Sequence, residues 1–175
     1  MTTTSFVVLK EGSKGAEVTK LQQRLKTLNA YTGATDGSFG TQTKAAVIKF
    51  QQNNAVVADG IVGYGTEFVL ERALWVAQRA NLKEGTDHTD VKLLQSLLLQ
   101  DVENSGDATA GVSIKYAVDG AFGSQTTTNV VRFQTKRQLK ADGVVGAATW
   151  KALSGVLAFD LSPESIVANK VFGLV

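Results

Sequence analysis

The chain repeats itself, and that repeat limits what it can fold into. Leu9-Lys10-Glu11-Gly12 returns as Leu82-Lys83-Glu84-Gly85, and Val18, Leu21-Gln22 and Leu25 return as Val91, Leu94-Gln95 and Leu98, at an offset of 73 residues. Asp36-Gly37-Ser38-Phe39-Gly40 then returns as Asp119-Gly120-Ala121-Phe122-Gly123, and the offset becomes 83. Thr43, Val47 and Phe50-Gln51 match Thr126, Val130 and Phe133-Gln134. Asp59-Gly60-Ile61-Val62-Gly63 matches Asp142-Gly143-Val144-Val145-Gly146, and Thr66, Leu70 and Leu74 match Thr149, Leu153 and Leu157. The ten extra residues of the second copy fall in 101–115, whose Gly, Ser, Asp, Asn, Ala and Thr are those of a surface loop.

Each copy reads as three helices. Val18, Leu21, Leu25 and Leu28 step by three and four residues, which places one apolar stripe on a helix. Thr43, Val47 and Phe50 mark a second helix, and Thr66, Leu70 and Leu74 a third. Asp-Gly can signal a β-hairpin, but the flanks lack apolar/polar alternation, so the pairs read as turns that enter helices. The fold class is all-α: two tandem small three-helix bundles, with a loop inserted in the second and a C-terminal tail. The expected boundaries are 1–74 for the first repeat, 75–81 for a helical connector, 82–157 for the second repeat with its loop at 101–115, and 158–175 for an apolar tail.

Composition removes several functions. A hydrophobic share of 43% with 19% charge is that of a globular protein, and a net charge of +2 argues against nucleic-acid binding. No Cys is present, so thiol chemistry and cysteine zinc sites are excluded. No apolar run approaches the roughly 20 residues of a membrane helix, so no membrane insertion is expected. The start, Met1 to Lys10, lacks a basic region and carries only a short apolar run, Phe6 to Leu9, so it does not read as a secretory signal.

Gly-Ser-Lys-Gly-Ala-Glu-Val-x-x-Leu-Gln-x-x-Leu from Gly12, Asp-Gly-x-Phe-Gly-x-x-Thr from Asp36, Ala-Val-x-x-Phe-Gln from Ala46 and Asp-Gly-Ile-Val-Gly-x-x-Thr from Asp59 together resemble the peptidoglycan-binding-like domain, a small three-helix module. The resemblance covers 9–70 and, more loosely, 82–153, where Gly15 is replaced by His88. It implies the fold, and it implies peptidoglycan, through its glycan strand or stem peptide, as the partner. Modules of this family are often attached to amidases, carboxypeptidases and muramidases. The 41 residues outside the two repeats are too few for such a catalytic domain, so the chain is expected to be non-enzymatic and to need no cofactor.

The candidate ligand-binding residues are Tyr31, Asp36, Ser38, Phe39, Thr43 and Gln51 in the first repeat, and Tyr116, Asp119, Phe122 and Thr126 in the second. Tyr31 follows the first helix, where an exposed ring suits stacking on a sugar or peptide; the plainer reading is a part-buried ring with a satisfied hydroxyl. Phe39 and Phe122 have a stronger reading as core residues, and Thr43 as a helix-start hydrogen bonder. Gln22 and Gln51 lie beside core Leu21 and Phe50, where they either tie helices together or reach a ligand. His88 between Asp87 and Asp90 is too sparse for zinc, which needs three converging ligands, and no metal site is expected. Arg132, Lys136, Arg137 and Lys140 step at helical spacing and offer a grip for an anionic polymer, or simply a solvated face.

Two functions follow. The first is non-catalytic binding of cell-wall peptidoglycan by both modules. The alternative is a structural or assembly protein, for example of a phage-tail-like or injection particle, with protein contacts or self-association through residues 155–175. Either places the chain in the cell envelope or an extracellular particle, reached by non-classical export or release on lysis.

Overall fold

The computed structural model describes residues 7–105 and 117–156. Among these residues lie six helices, α1 (Ala16–Thr27), α2 (Thr41–Asn53), α3 (Tyr64–Ala77), α4 (Asp90–Ser105), α5 (Ser124–Lys136) and α6 (Ala147–Leu153), and no β-strand. The all-helical fold is as the apolar periodicity requires. The residues fall into two compact units, divided between Ala77 and Gln78.

In the first unit α1 packs on α2 and α3. The stripe read from the sequence faces inward: Val18, Leu21 and Leu25 of α1 are buried with Val47 and Phe50 of α2 and Leu70 of α3. Each such side chain contributes roughly 1.5–3 kcal/mol through burial. A core this small leaves little margin, and polar ties between helices therefore matter. One is a largely buried ion triad, in which Arg24 of α1 donates to both Glu67 and Glu71 of α3.

In the second unit α4 packs on α5 and α6 around Val91, Leu94, Leu98, Phe122, Val130, Phe133 and Trp150. The triad is absent here, because its positions correspond to Leu97, Trp150 and Ser154, all buried. The Trp150 indole donates instead to the Ala80 carbonyl at 2.8 Å. α4 continues through Asp101–Ser105, residues expected to begin the inserted loop. Asp101 explains this, since it is buried and receives Lys136 at 2.9 Å and Arg137 at 2.5 Å from α5. The rest of that loop and the tail 158–175 lie outside the described residues.

Three helices end in the same way. After α1, Asn29 takes a φ of 54°, its N–H reaches Lys26 O and the Ala30 N–H reaches Leu25 O. After α2 and α5, Ala55 (φ 54°) and Gln138 (φ 55°) repeat the pattern, which closes the last carbonyls of the helix.

A short extended strap precedes each unit's first helix. In the first unit Leu9 pairs with Val62 through two backbone hydrogen bonds, of 3.2 and 2.8 Å. Further along the strap, Gly12 N–H donates to Phe39 O, Phe39 N–H to Ser13 O and Gly15 N–H to Gly37 O, each at 2.9 Å. The strap thus stitches both Asp-Gly turns to the helix start.

Candidate functional site

The Asp-Gly turns are built by one device used four times. Gln22, fully buried on α1, turns its two Nε2 hydrogens toward three acceptors, Asp36 Oδ1 (2.9 Å), Ser38 O (3.1 Å) and Thr43 Oγ1 (3.2 Å), while its Oε1 accepts the Gly37 N–H at 2.9 Å. Gln51 does the same for Asp59, Ile61, Thr66 and Gly60, with all four distances 2.9 Å. Gln95 holds Asp119, Ala121, Thr126 and Gly120, and Gln134 holds Asp142, Val144, Thr149 and Gly143. Each unit is therefore two helix–turn–helix halves that share a middle helix. The glycine is required at the first turn: Gly37 sits at φ 71°, and a Cβ there would stand 2.7 Å from Thr19 Oγ1.

The carboxylates feel these donors. The Gln22 amide and then the Ser38 N–H hold Asp36 below the usual carboxylate range. Asp59 is lowered first by the Ile61 N–H and then by Gln51, Asp119 first by Gln95, and Asp142 first by the Val144 N–H. All four stay anionic at neutral pH and face solvent.

This geometry redistributes the candidate residues. Gln51, Thr43 and Thr126 are buried in the turn lattice, where their polar atoms are occupied. Gln22 and Gln51 thus tie helices to turns and have no free end for a ligand. Phe39 and Phe122 are core residues, 2% and 3% exposed. Tyr31 does not offer a stacking face, since it is 7% exposed and its hydroxyl donates to Ala34 O at 2.8 Å. The 32–35 loop folds over the ring so closely that a Cβ on Gly33 would meet the Tyr31 hydroxyl at 2.4 Å. Tyr116 lies outside the described residues. Asp36, Ser38 and Asp119 remain exposed, on the rims of the turns.

The basic run is mostly spent internally. Lys136 and Arg137 hold Asp101, the Arg137 guanidinium lies 5.3 Å from the Phe133 ring centre, and Lys140 reaches Asp142 at 3.1 Å. The cleft beside it, between Leu98 and Phe133, has about 20 Å³, room for one water and no polymer. His88 Nδ1 accepts the Asp90 N–H at 3.0 Å, and Asp90 is committed to Arg79 (2.7 Å) and the Ala80 N–H (2.9 Å). Among the described residues no three His, Asp or Glu converge as metal ligands.

An open concavity lies on the second unit, between Gly85-Thr86-Asp87 and Asp119–Gly123, with a volume of about 410 Å³. It contains two of the candidate residues, Asp119 and Phe122.

A duplicated three-helix module with strapped Asp-Gly turns defines a class of small all-helical domains. The family described as "Putative peptidoglycan binding domain" matches residues 14–68 and 87–153. The chain belongs to this family. It is 32% identical over 158 residues to the "Probable N-acetylmuramoyl-L-alanine amidase" of Bacillus licheniformis, a match that covers 83% of this chain and 44% of the relative. A second Bacillus licheniformis protein, N-acetylmuramoyl-L-alanine amidase CwlL, is 28% identical, with 86% and 46% covered. The spore cortex-lytic enzyme of Bacillus cereus is 39% identical over 66 residues, with 38% and 26% covered. The chain spans less than half the length of these curated relatives. Their names correct the expectation of a protein apart from enzymes: relatives that align across most of this chain are cell-wall hydrolases.

Proposed function

We propose that this chain binds peptidoglycan and holds a cell-wall hydrolase on its substrate. The family match over both repeats carries the reading. The hydrolase names of the relatives supply the activity that the binding serves. Binding on this reading is the work of exposed turn rims on a scaffold fixed by the glutamine lattice. Two modules on one chain add through effective concentration where their spacing suits the polymer. The cell envelope is then the place of action. None of the comparisons supports the assembly alternative, and of the tail it invoked, 155–175, residues 157–175 lie outside the described residues.

The test is a fusion of the chain to a muramidase catalytic domain that has no wall affinity of its own, read by the clearing of a suspension of sacculi. Faster clearing at low enzyme concentration, with unchanged cleavage of soluble fragments, is the expected result. Equal clearing with and without the chain overturns the reading.

A further inference from the structure

The two units differ at one place where the sequence also differs. In the first, the strap closes on its Asp-Gly turn through the three backbone hydrogen bonds of Gly12, Phe39 and Gly15. In the second, the corresponding strap and turn share one, from Gly85 N–H to Phe122 O at 2.8 Å. Among the described residues no acceptor pairs with the Phe122 N–H, whereas the Phe39 N–H has Ser13 O. The 410 Å³ groove opens along this gap.

The cause is His88. Gly15 brings the strap in at a φ of 110°, a backbone state that an L side chain rarely adopts. His88 stands at that position and is not among the residues with positive φ. It turns its ring to the Asp90 N–H instead, and α4 begins two residues after it. The strap keeps its bond to the Phe122 carbonyl but offers no acceptor to the Phe122 N–H, and this N–H is the free point of the turn.

From this N–H we infer that the second unit takes an extended peptide, which restores the missing backbone pairing by adding to the turn as a short strand. The walls favour a cationic group on that peptide. Asp87 and Asp119 line the groove and are exposed, and the Gln95 amide helps to keep Asp119 ionised. Lys92, on α4, runs its side chain past Gly120 and its charge already acts on Asp119, so a cation on the peptide is drawn chiefly by Asp87. This deepens the wall-binding reading and rests on it: the groove takes the amine-bearing stem peptide, and the glycan strand lies outside it.

The experiment uses the whole chain and amide hydrogen exchange followed by NMR. The probe is a synthetic stem tetrapeptide with a free lysine ε-amine, alongside the same peptide acetylated on that amine. In the free chain the Phe122 amide exchanges fast and the Phe39 amide slowly. The free-amine peptide slows Phe122 exchange, and acetylation weakens the effect by roughly two- to fivefold, the yield of one exposed charge pair. Asp87→Asn gives a loss of the same size. His88→Gly lets the strap close, protects Phe122 without peptide and abolishes peptide binding. A Phe122 amide already as protected as Phe39, or one indifferent to the peptide while the chain still pellets with insoluble wall, overturns the groove and leaves wall binding standing. Failure of both peptide protection and pelleting overturns the groove together with the reading beneath it.

Discussion

Gln22 and Asp36 meet across the first turn at 2.9 Å, and the same glutamine closes the turn from the other side by taking the Gly37 N–H. A primary amide is the one neutral side chain that donates twice and accepts at this reach. Glutamate would lose the donors and face a second carboxylate, and leucine would fill the space but satisfy nothing. The Gln22→Leu variant leaves the buried Gly37 N–H without its acceptor, strips Asp36 and the Ser38 carbonyl of their amide donor, and is expected to cost about 3 kcal/mol. Urea unfolding of the whole chain reads this, and a cost below about 1 kcal/mol contradicts a structural role for the lattice.

The Arg24 triad makes a second prediction. Arg24→Met strands Glu67 and Glu71 in a largely buried site, a loss of about 3–5 kcal/mol at neutral pH. The triple change to Met at 24 with apolar residues at 67 and 71 recovers most of that loss, and the second unit likewise does without charge there, with Leu97, Trp150 and Ser154. Thermal unfolding of the single and triple variants separates the two effects.

Stability depends on pH with two signs. Asp36, Asp59, Asp119 and Asp142 lie below their ordinary value when folded. Their stabilisation is present above the unfolded value, about 3.9, and is lost as pH falls through the folded values. Glu71 is raised, because burial outweighs the pull of Arg24. Its contribution is complete below its unfolded value and is lost as pH rises through the folded one. The melting temperature is therefore expected to rise slightly from pH 7 toward mild acid and to fall steeply below about pH 4. Glu71→Gln removes the mild-acid rise and leaves the acid fall in place.

Ala55 ends α2 at a φ of 54°, where its Cβ crowds the backbone. Ala55→Gly is expected to raise stability by roughly 0.5–1 kcal/mol, and chemical denaturation reads the gain. A loss of stability would mean that the side chain supports the fold in a way the turn geometry does not capture.

The helices and the duplication were legible because Val18, Leu21 and Leu25 repeat at helical spacing and again as Val91, Leu94 and Leu98. The finer duplication was also written there: Asp precedes Thr by seven residues at 36, 59, 119 and 142, each after a helix that carries an apolar-Gln pair. Its meaning was not legible, since a buried glutamine and an exposed one look alike until the turn folds back onto the helix. Tyr31 misled for a related reason, because its burial depends on residues 32–35 closing over the ring. The Arg24 triad joins positions more than forty residues apart, beyond the reach of any local pattern. His88 was visible as a departure from Gly15, but the groove it opens follows from backbone geometry, which a letter change does not display.

The most direct test of the account is sedimentation of the purified chain with insoluble peptidoglycan, titrated to saturation and compared with cellulose. The account predicts saturable pelleting with peptidoglycan alone, reduced by competing soluble stem peptide. Pelleting no greater than with cellulose, across walls of different peptide chemistry, would contradict it.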